Sequence, residues 1–142
     1  MTNGRIRILV LCTGNSCRSQ MAEGFFRHYG GAEVEVCSAG TEPKGVNPRA
    51  IRVMAEIGID ISTHTSNHVQ EYIGQSFDYA ITVCGNAARN CPRFSGEGTR
   101  LHWPFDDPAD AHGTEEYVPG EFRRVRDEIA RQVKTWLGEV IQ

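Results

Sequence analysis

The amino-acid sequence predicts an α/β fold with a parallel sheet covered on both faces by helices. Two observations lead to this class: short apolar strands alternate with amphipathic helices, and the chain contains no internal repeat, low-complexity tract or linker. Strands that alternate with helices form parallel sheets, because each connection crosses one face of the sheet. A chain of 142 residues is close to the usual size of one domain, so we expect residues 1–142 to form a single domain.

The first half of the chain predicts two strands and two helices. Residues 6–11 are almost continuously apolar, as expected of a strand that is buried on both faces. Residues 19–29 place apolar side chains on one helical face before two glycines end the helix. Valine and glutamate alternate over 33–36, which predicts a second strand. A second helix is predicted from Asn47, an N-cap followed by proline, to Gly58.

The second half continues the alternation. A third helix is predicted over 66–74, with Gln70 as a capping-box partner and a glycine at its end. Residues 77–83 predict the third strand and residues 101–103 a short fourth one. Apolar residues recur at steps of three and four over 122–140, which predicts a long final helix.

Charge and composition exclude several classes of function. The net charge is −3 and the pI is near 5.9, so the chain has no general basic surface for nucleic acid. The apolar stretch at 8–12 is too short for a signal peptide or a membrane span. We therefore expect a cytoplasmic monomer with no membrane or nucleic-acid partner. Five cysteines, at 12, 17, 37, 84 and 91, are an odd number in a reducing compartment, which argues against a closed disulfide framework.

The turn between the first strand and the first helix has the pattern of an oxyanion-binding loop. It begins at Cys12, lies at the carboxyl edge of the sheet, and contains Arg18, whose guanidinium can bind two oxygens of one anion. The same donors favour a thiolate, so we expect a lowered pKa for Cys12 and a hydrogen bond to it from Ser19. A buried cysteine at an ordinary turn is the alternative interpretation. The predicted oxyanion-binding residues are Thr13, Gly14, Asn15, Ser16, Cys17, Arg18 and Ser19.

A nucleophile of this kind needs a general acid for its leaving group. Asp107, followed by proline after the fourth strand, is the favoured candidate, and Asp106 is its rival. The alternative is a solvated acidic loop, because residues 106–121 contain six acidic residues and no lysine or arginine.

Two further cysteines suggest redox chemistry. Cys84 ends the third strand as Cys12 ends the first. If these two strands are neighbours, the two cysteines lie about 4.8 Å apart, a separation that a disulfide can span. A bond between Cys84 and Cys91 would require residues 85–90 to leave a helical conformation, which predicts a redox switch in that segment. Two alternatives are a zinc site and inert core cysteines. The spacing of Cys84 and Cys91 exceeds that of usual zinc ligands, so we predict no metal site. A dithiol relay is favoured, with Cys17 and Cys37 outside it.

The segment from Cys12 to Gly24, CTGNSCRSQMAEG, resembles the signature of the thioredoxin-coupled arsenate reductases, which are similar to low-molecular-weight protein tyrosine phosphatases. The Asp107–Pro108 pair and the spacing of Cys84 and Cys91 are similar to that family too. The resemblance implies a flavodoxin-like three-layer sandwich with a four-stranded parallel sheet.

The resemblance also implies a mechanism with three thiols and no tightly bound cofactor. Cys12 would attack arsenate held by the loop and Arg18, and Asp107 would protonate the departing oxygen. Cys84 would attack Cys12 and release arsenite, Cys91 would attack Cys84, and thioredoxin would act as co-substrate by reducing the resulting disulfide. A weak phosphatase side activity would follow from the shared loop.

Family members often bind potassium, and the sequence leaves a potassium site open here, because Asn67 stands where the family commonly has an aspartate and a neutral amide weakens a cation site. The corresponding residues in this chain are Asn15, Glu23, Ser38, Thr65 and Asn67. Two other functions stay open, a true low-molecular-weight phosphatase and a redox-sensing module without turnover. Against the phosphatase, Ala109 and Asp110 stand where those enzymes usually have tyrosines.

Overall fold

A computed structural model of the protein describes residues 5–84 and 97–141. The strands of the described chain are β1 (Ile6–Cys12), β2 (Val34–Gly40), β3 (Phe77–Thr82) and β4 (Glu97–His102), and its helices are α1 (Arg18–Gly30), α2 (Pro48–Ala55) and α3 (Tyr117–Val140). Single 3₁₀ turns lie at Gly31–Glu33, Val69–Tyr72 and Pro108–Asp110. The strands form one parallel sheet in the order β2-β1-β3-β4, with helices around it, which confirms the predicted α/β class and its flavodoxin-like order.

The core forms around the central strand β1. Residues 8–11 are completely buried although their side chains alternate between the two faces of the sheet, so both faces are covered at this strand. Helix α1 packs on β1, β2 and α3, and it buries Phe25 and Phe26. Trp136 of α3 packs edge-on against Phe26 and Tyr79, which joins the two helices to the sheet.

The strand register brings the loops that follow β1, β2 and β3 to one edge. Cys12 at the end of β1 pairs with Gly40 at the end of β2. On the other side Leu11 pairs with Thr82, and the Val83 N–H donates to the Leu11 carbonyl at 3.0 Å. The residues that follow β1 and β3 therefore leave the sheet side by side.

The predicted start of the second helix is confirmed, whereas the helix ends at Ala55, before the expected Gly58. The Asn47 side chain accepts a hydrogen bond from the Arg49 N–H at 2.8 Å, with Pro48 at the first helical position. None of the helices in residues 5–84 and 97–141 combines the length and the apolar character needed to cross a membrane.

Two predicted elements are wrong in extent. The third helix, expected over 66–74, is a single 3₁₀ turn at Val69–Tyr72, capped by His68 together with Glu71 rather than by Gln70. Its expected first residues instead bind the loop after β1, since the Asn67 N–H donates to the Asn15 side chain at 2.8 Å. The fourth strand begins at Glu97 rather than Leu101, because polar residues also pair with β3 at the edge of the sheet.

Candidate active site

An open cleft of about 690 Å³ lies at the carboxyl edge of the sheet, where the loops after β1, β2, β3 and β4 converge. Open α/β sheets bind ligands at this edge. The residues that line the cleft are Cys12, Thr13, Gly14, Ser16, Cys17, Arg18, Lys44, Asn47, Cys84, Phe105, Asp106, Asp107, Ala109 and Asp110. Five of the seven predicted oxyanion-binding residues thus face the cleft, together with Cys12, Cys84 and Asp107.

Asn15 and Ser19, which the sequence also suggested as oxyanion ligands, are not in this lining and hold the loop from behind. Asn15 is completely buried with a φ of 46°, a left-handed conformation that asparagine tolerates better than most residues. Its side-chain amide donates to the hydroxyl oxygens of Ser19 and Ser38, each at 2.9 Å. In the described part of the chain Ser19 therefore pairs with Asn15, whereas we expected it to pair with Cys12.

Arg18 is held at the floor of the cleft in a position suited to an anion. Its Nη1 donates to the Phe105 carbonyl at 3.0 Å, and its Nη2 lies 3.3 Å from Asp107 Oδ2. Its Nε is buried and has no hydrogen-bond partner among the described residues. Buried polar groups are normally satisfied, so this N–H is a free donor that fits an oxyanion in the cleft.

The two candidate acids, Asp107 and Asp106, differ in exposure and in the residues with which they pair. The Asp107 side chain is 28% exposed, beside Arg18, and its Oδ1 accepts from the Ala109 N–H at 3.0 Å. The Asp106 side chain is 77% exposed and pairs with Arg124 of α3 at 3.1 Å. Because Asp107 is oriented toward the arginine at the cleft floor, it is the better-placed acid.

The thiols of Cys12 and Cys84 are buried and lie side by side at the cleft. Cys84 Sγ also lies 3.3 Å from the Thr13 hydroxyl. The adjacency agrees with the sequence argument that neighbouring strands would bring these two cysteines together. No disulfide joins the cysteines of the described chain.

The expected lowering of the Cys12 pKa is wrong for this arrangement. The hydrogen bond to Cys84, followed by burial, raises the pKa of the Cys12 thiol, although the Arg18 guanidinium and the Thr13 backbone act in the opposite direction. Two adjacent thiols resist ionising together, since the second negative charge would form beside the first. The pair is therefore expected to keep at least one of its two protons in this arrangement.

The remaining cysteines have different surroundings. Burial, and secondarily Asp107, raises the pKa of the Cys17 thiol to about 12, against the pull of Arg18. Burial also raises the pKa of Cys37, which lies beside Tyr72 and is not among the residues that line the cleft. Neither position favours a nucleophile. Cys91 and the predicted switch segment 85–90 lie outside the described residues.

The residues that would hold potassium are already bonded to one another. Glu23 Oε1 accepts from the Ser38 hydroxyl at 2.6 Å, and Glu23 Oε2 accepts from Arg27 Nη2 at 2.7 Å and Nε at 3.1 Å. Asn15 directs its two amide hydrogens at serine oxygens. The only carboxylate of the set thus faces a guanidinium, so the residues present do not fit an alkali cation.

Among the described residues, no cluster of three or more His, Cys, Asp or Glu side chains could hold a metal ion.

The sequence interpretation missed the contribution of the segment after β2. Backbone N–H groups of Glu42, Lys44 and Asn47 donate to the carbonyls of Thr13, Gly14 and Ser16 at 2.8, 2.9 and 3.0 Å. These bonds run along the loop after β1 and place Lys44 and Asn47 at the cleft. The available signal was topological: the end of any strand beside β1 must lie at the same edge.

Comparison with protein families gives a match over residues 7–142 to the low molecular weight phosphotyrosine protein phosphatase family. The arsenate reductase of Halalkalibacterium halodurans is 54% identical over 129 residues, which is 91% of this chain and 93% of the relative.

Two solved structures add to this likeness. An arsenate reductase in the phosphate-binding state superimposes with a TM-score of 0.80 at 34% identity, covering 94% of this chain and 98% of the other. A thioredoxin-dependent arsenate reductase of Corynebacterium glutamicum gives a TM-score of 0.66 at 26% identity, covering 95% of this chain and 65% of the other.

Proposed function

Since the chain belongs to the low molecular weight phosphotyrosine protein phosphatase family, we propose that it is an arsenate reductase that works by a relay of three cysteines. The observation that carries the proposal is that Cys12 and Cys84 lie side by side in the cleft together with Arg18. Hydrolysis of a phosphate ester needs one thiol at this point, whereas reduction of a bound oxyanion needs two electrons. A second thiol in contact with the first can supply them.

The first step is binding and attack. The loop after β1 and Arg18 hold the arsenate, with the free Nε of Arg18 among the donors. The Cys12 thiolate forms a sulfur–arsenic bond, and one arsenic–oxygen bond breaks. Asp107 gives its proton to the departing oxygen, which leaves as water.

The second step transfers the electrons. Cys84, after losing its proton, attacks Cys12 Sγ and forms a disulfide. The sulfur–arsenic bond breaks with its electron pair on arsenic, which passes from the +5 to the +3 state and leaves as arsenite. Thr13, whose hydroxyl lies 3.3 Å from Cys84 Sγ, can donate a hydrogen bond to the attacking sulfur.

The third step restores Cys12. Cys91 attacks Cys84, so that the disulfide passes to Cys84 and Cys91, and the dithiol of thioredoxin then reduces it. The thioredoxin-dependent relative from C. glutamicum supports thioredoxin as co-substrate. A cytoplasmic, monomeric enzyme with no tightly bound cofactor is consistent with this cycle.

A coupled assay tests the function. Arsenate should drive NADPH consumption when the protein is combined with thioredoxin and thioredoxin reductase, and hydrolysis of p-nitrophenyl phosphate should be much slower. Fast phosphatase activity without arsenate turnover contradicts the proposal and supports a true phosphatase. Binding of arsenate without either activity supports a sensing module.

Variants test the order of the relay. Cys12→Ser should abolish both activities, whereas Cys91→Ser should release about one arsenite per enzyme and stop with Cys12 joined to Cys84. Asp107→Asn should lower kcat by about 10²-fold or more, and Asp106→Asn is the matched control that should leave it nearly unchanged. Sustained turnover of Cys91→Ser with thioredoxin contradicts the relay.

A further inference from the structure

We propose that Arg27 is a built-in counter-cation for the buried Glu23 carboxylate, and that this pair makes the support of the oxyanion loop independent of potassium. Arg27 is thereby a positioning residue, since it acts on the loop through Glu23, Ser38 and Asn15. The inference rests on the loop of the proposed function as the anion site, but not on arsenate turnover.

Glu23 occupies a position where an acidic side chain needs a positive partner. It lies on α1, and only 8% of its side chain is exposed. An unpaired buried carboxylate is strongly destabilising. Arg27 stands one helical turn further along and supplies two hydrogen bonds to Oε2, at 2.7 and 3.1 Å.

His64 is the other basic group near Glu23, and it does not supply the charge. Its Nδ1 lies 3.7 Å from Glu23 Oε2 and 3.1 Å from Gln20 Oε1. Arg27 makes much shorter contacts with the same carboxylate oxygen, at 2.7 and 3.1 Å, so the guanidinium is the cation that pairs with Glu23.

Arg27 is itself fixed by the sheet. Its Nη2 donates to the Val36 carbonyl of β2 at 3.0 Å, so the guanidinium joins the helix to the strand as well as to Glu23. Arginine suits this role because its rigid fork presents several donors at once. Its outer part reaches solvent, since 55% of the side chain is exposed.

The pair is connected to the loop by hydrogen bonds. Glu23 Oε1 accepts from the Ser38 hydroxyl at 2.6 Å, and the Ser38 oxygen accepts from Asn15 Nδ2 at 2.9 Å. Asn15 is the residue that holds the left-handed turn of the loop. Loss of the Arg27 charge should therefore loosen the loop, and a small cation at Glu23 should be able to replace that charge.

Thermal unfolding with and without potassium tests the proposal. Tm is measured in KCl and in choline chloride at equal ionic strength, about 0.1 M. The wild-type Tm should be the same in both salts to within about 1 °C, because its carboxylate is already paired. Arg27→Gln should have a Tm lower by about 4 °C or more in choline chloride, and KCl should recover at least about half of that loss.

Three further variants isolate the charge. Arg27→Lys keeps a cation and should show no potassium response even though its hydrogen bonds change. The double variant Glu23→Gln with Arg27→Gln removes the carboxylate and should show none either. Arg123→Gln, which breaks the exposed ion pair between Arg123 of α3 and Glu56 at the end of α2, is the matched control and should not respond to potassium.

Binding of inorganic phosphate gives a second readout that needs no arsenate turnover, so failure of the proposed reductase activity leaves this test intact. In choline chloride, Arg27→Gln should bind phosphate several-fold more weakly than the wild type, and KCl should restore the affinity. A wild-type protein that gains as much from potassium as Arg27→Gln does, or an Arg27→Gln protein that gains nothing, overturns the proposal.

Discussion

At the residue scale, the reactivity of Cys12 depends on its neighbour as much as on the oxyanion loop. The hydrogen bond to Cys84 is the largest influence on the Cys12 pKa and raises it, while Arg18 acts in the opposite direction. Replacing Cys84 by alanine removes the largest raising influence, while burial and the opposing effect of Arg18 remain. We therefore predict that Cys84→Ala shifts the ionisation of Cys12 to lower pH.

The measurement is the rate of Cys12 alkylation by iodoacetamide as a function of pH, with the modified residue identified by mass spectrometry. At pH 7 the rate should rise by up to about ten-fold for each unit by which the pKa falls. Cys17, with a pKa raised to about 12, should stay unmodified over the same range. Cys37→Ala is the control, and an unchanged Cys12 profile in Cys84→Ala contradicts the prediction.

At the element scale, the end of β2 supports the loop after β1 by an approach that only glycine allows. A Cβ atom on Gly40 would overlap the Thr13 carbonyl oxygen and lie 3.0 Å from the Asn15 nitrogen. We predict that Gly40→Ala lowers stability by about 1–3 kcal/mol and weakens phosphate binding, because the loop must move. Chemical denaturation and phosphate titration measure the two effects. Gly138→Ala, in an open position on α3, should instead raise stability by up to about 1 kcal/mol.

Elements with local signals could be predicted from the sequence, and elements shaped by distant contacts could not. Asn47 followed by proline marks the start of α2 because the cap uses only neighbouring residues. The segment around Asn67 carries similar helix signals, but its backbone groups form hydrogen bonds with Asn15 and Gly40, which are distant in sequence.

The candidate site could likewise be predicted only in part. Cys12 and Arg18 belong to one short motif, so the sequence alone brings them together. The contact between Cys12 and Cys84 depends on the order of the strands. The position of Lys44 depends on hydrogen bonds between the segment after β2 and the loop after β1.

At the scale of the whole molecule, a protein with a net charge of −3 has to attract an anionic substrate to a cleft that is itself rich in acid. Three aspartates line the cleft, and Asp107 lies against Arg18. Lys44 is the other basic residue of the lining, and the described residues form no ion pair with it. Its stem crosses Gly14, since its Cδ would lie 3.4 Å from a Cβ at that position. Its positive charge is thus available to an approaching oxyanion.

We predict that Lys44→Gln raises the KM for arsenate about three-fold at low salt and leaves kcat nearly unchanged, because an exposed charge near the mouth assists binding more than chemistry. The difference from wild type should shrink as ionic strength rises to about 0.15 M, where the screening length falls to about 8 Å. Lys134 is the only other lysine, and it lies on α3 over the Tyr29 ring, away from the cleft lining. Lys134→Gln changes the net charge by the same amount, so it separates a local effect from a global one. Equal increases in KM for the two variants would show that net charge, rather than the position of Lys44 beside the loop, attracts the substrate.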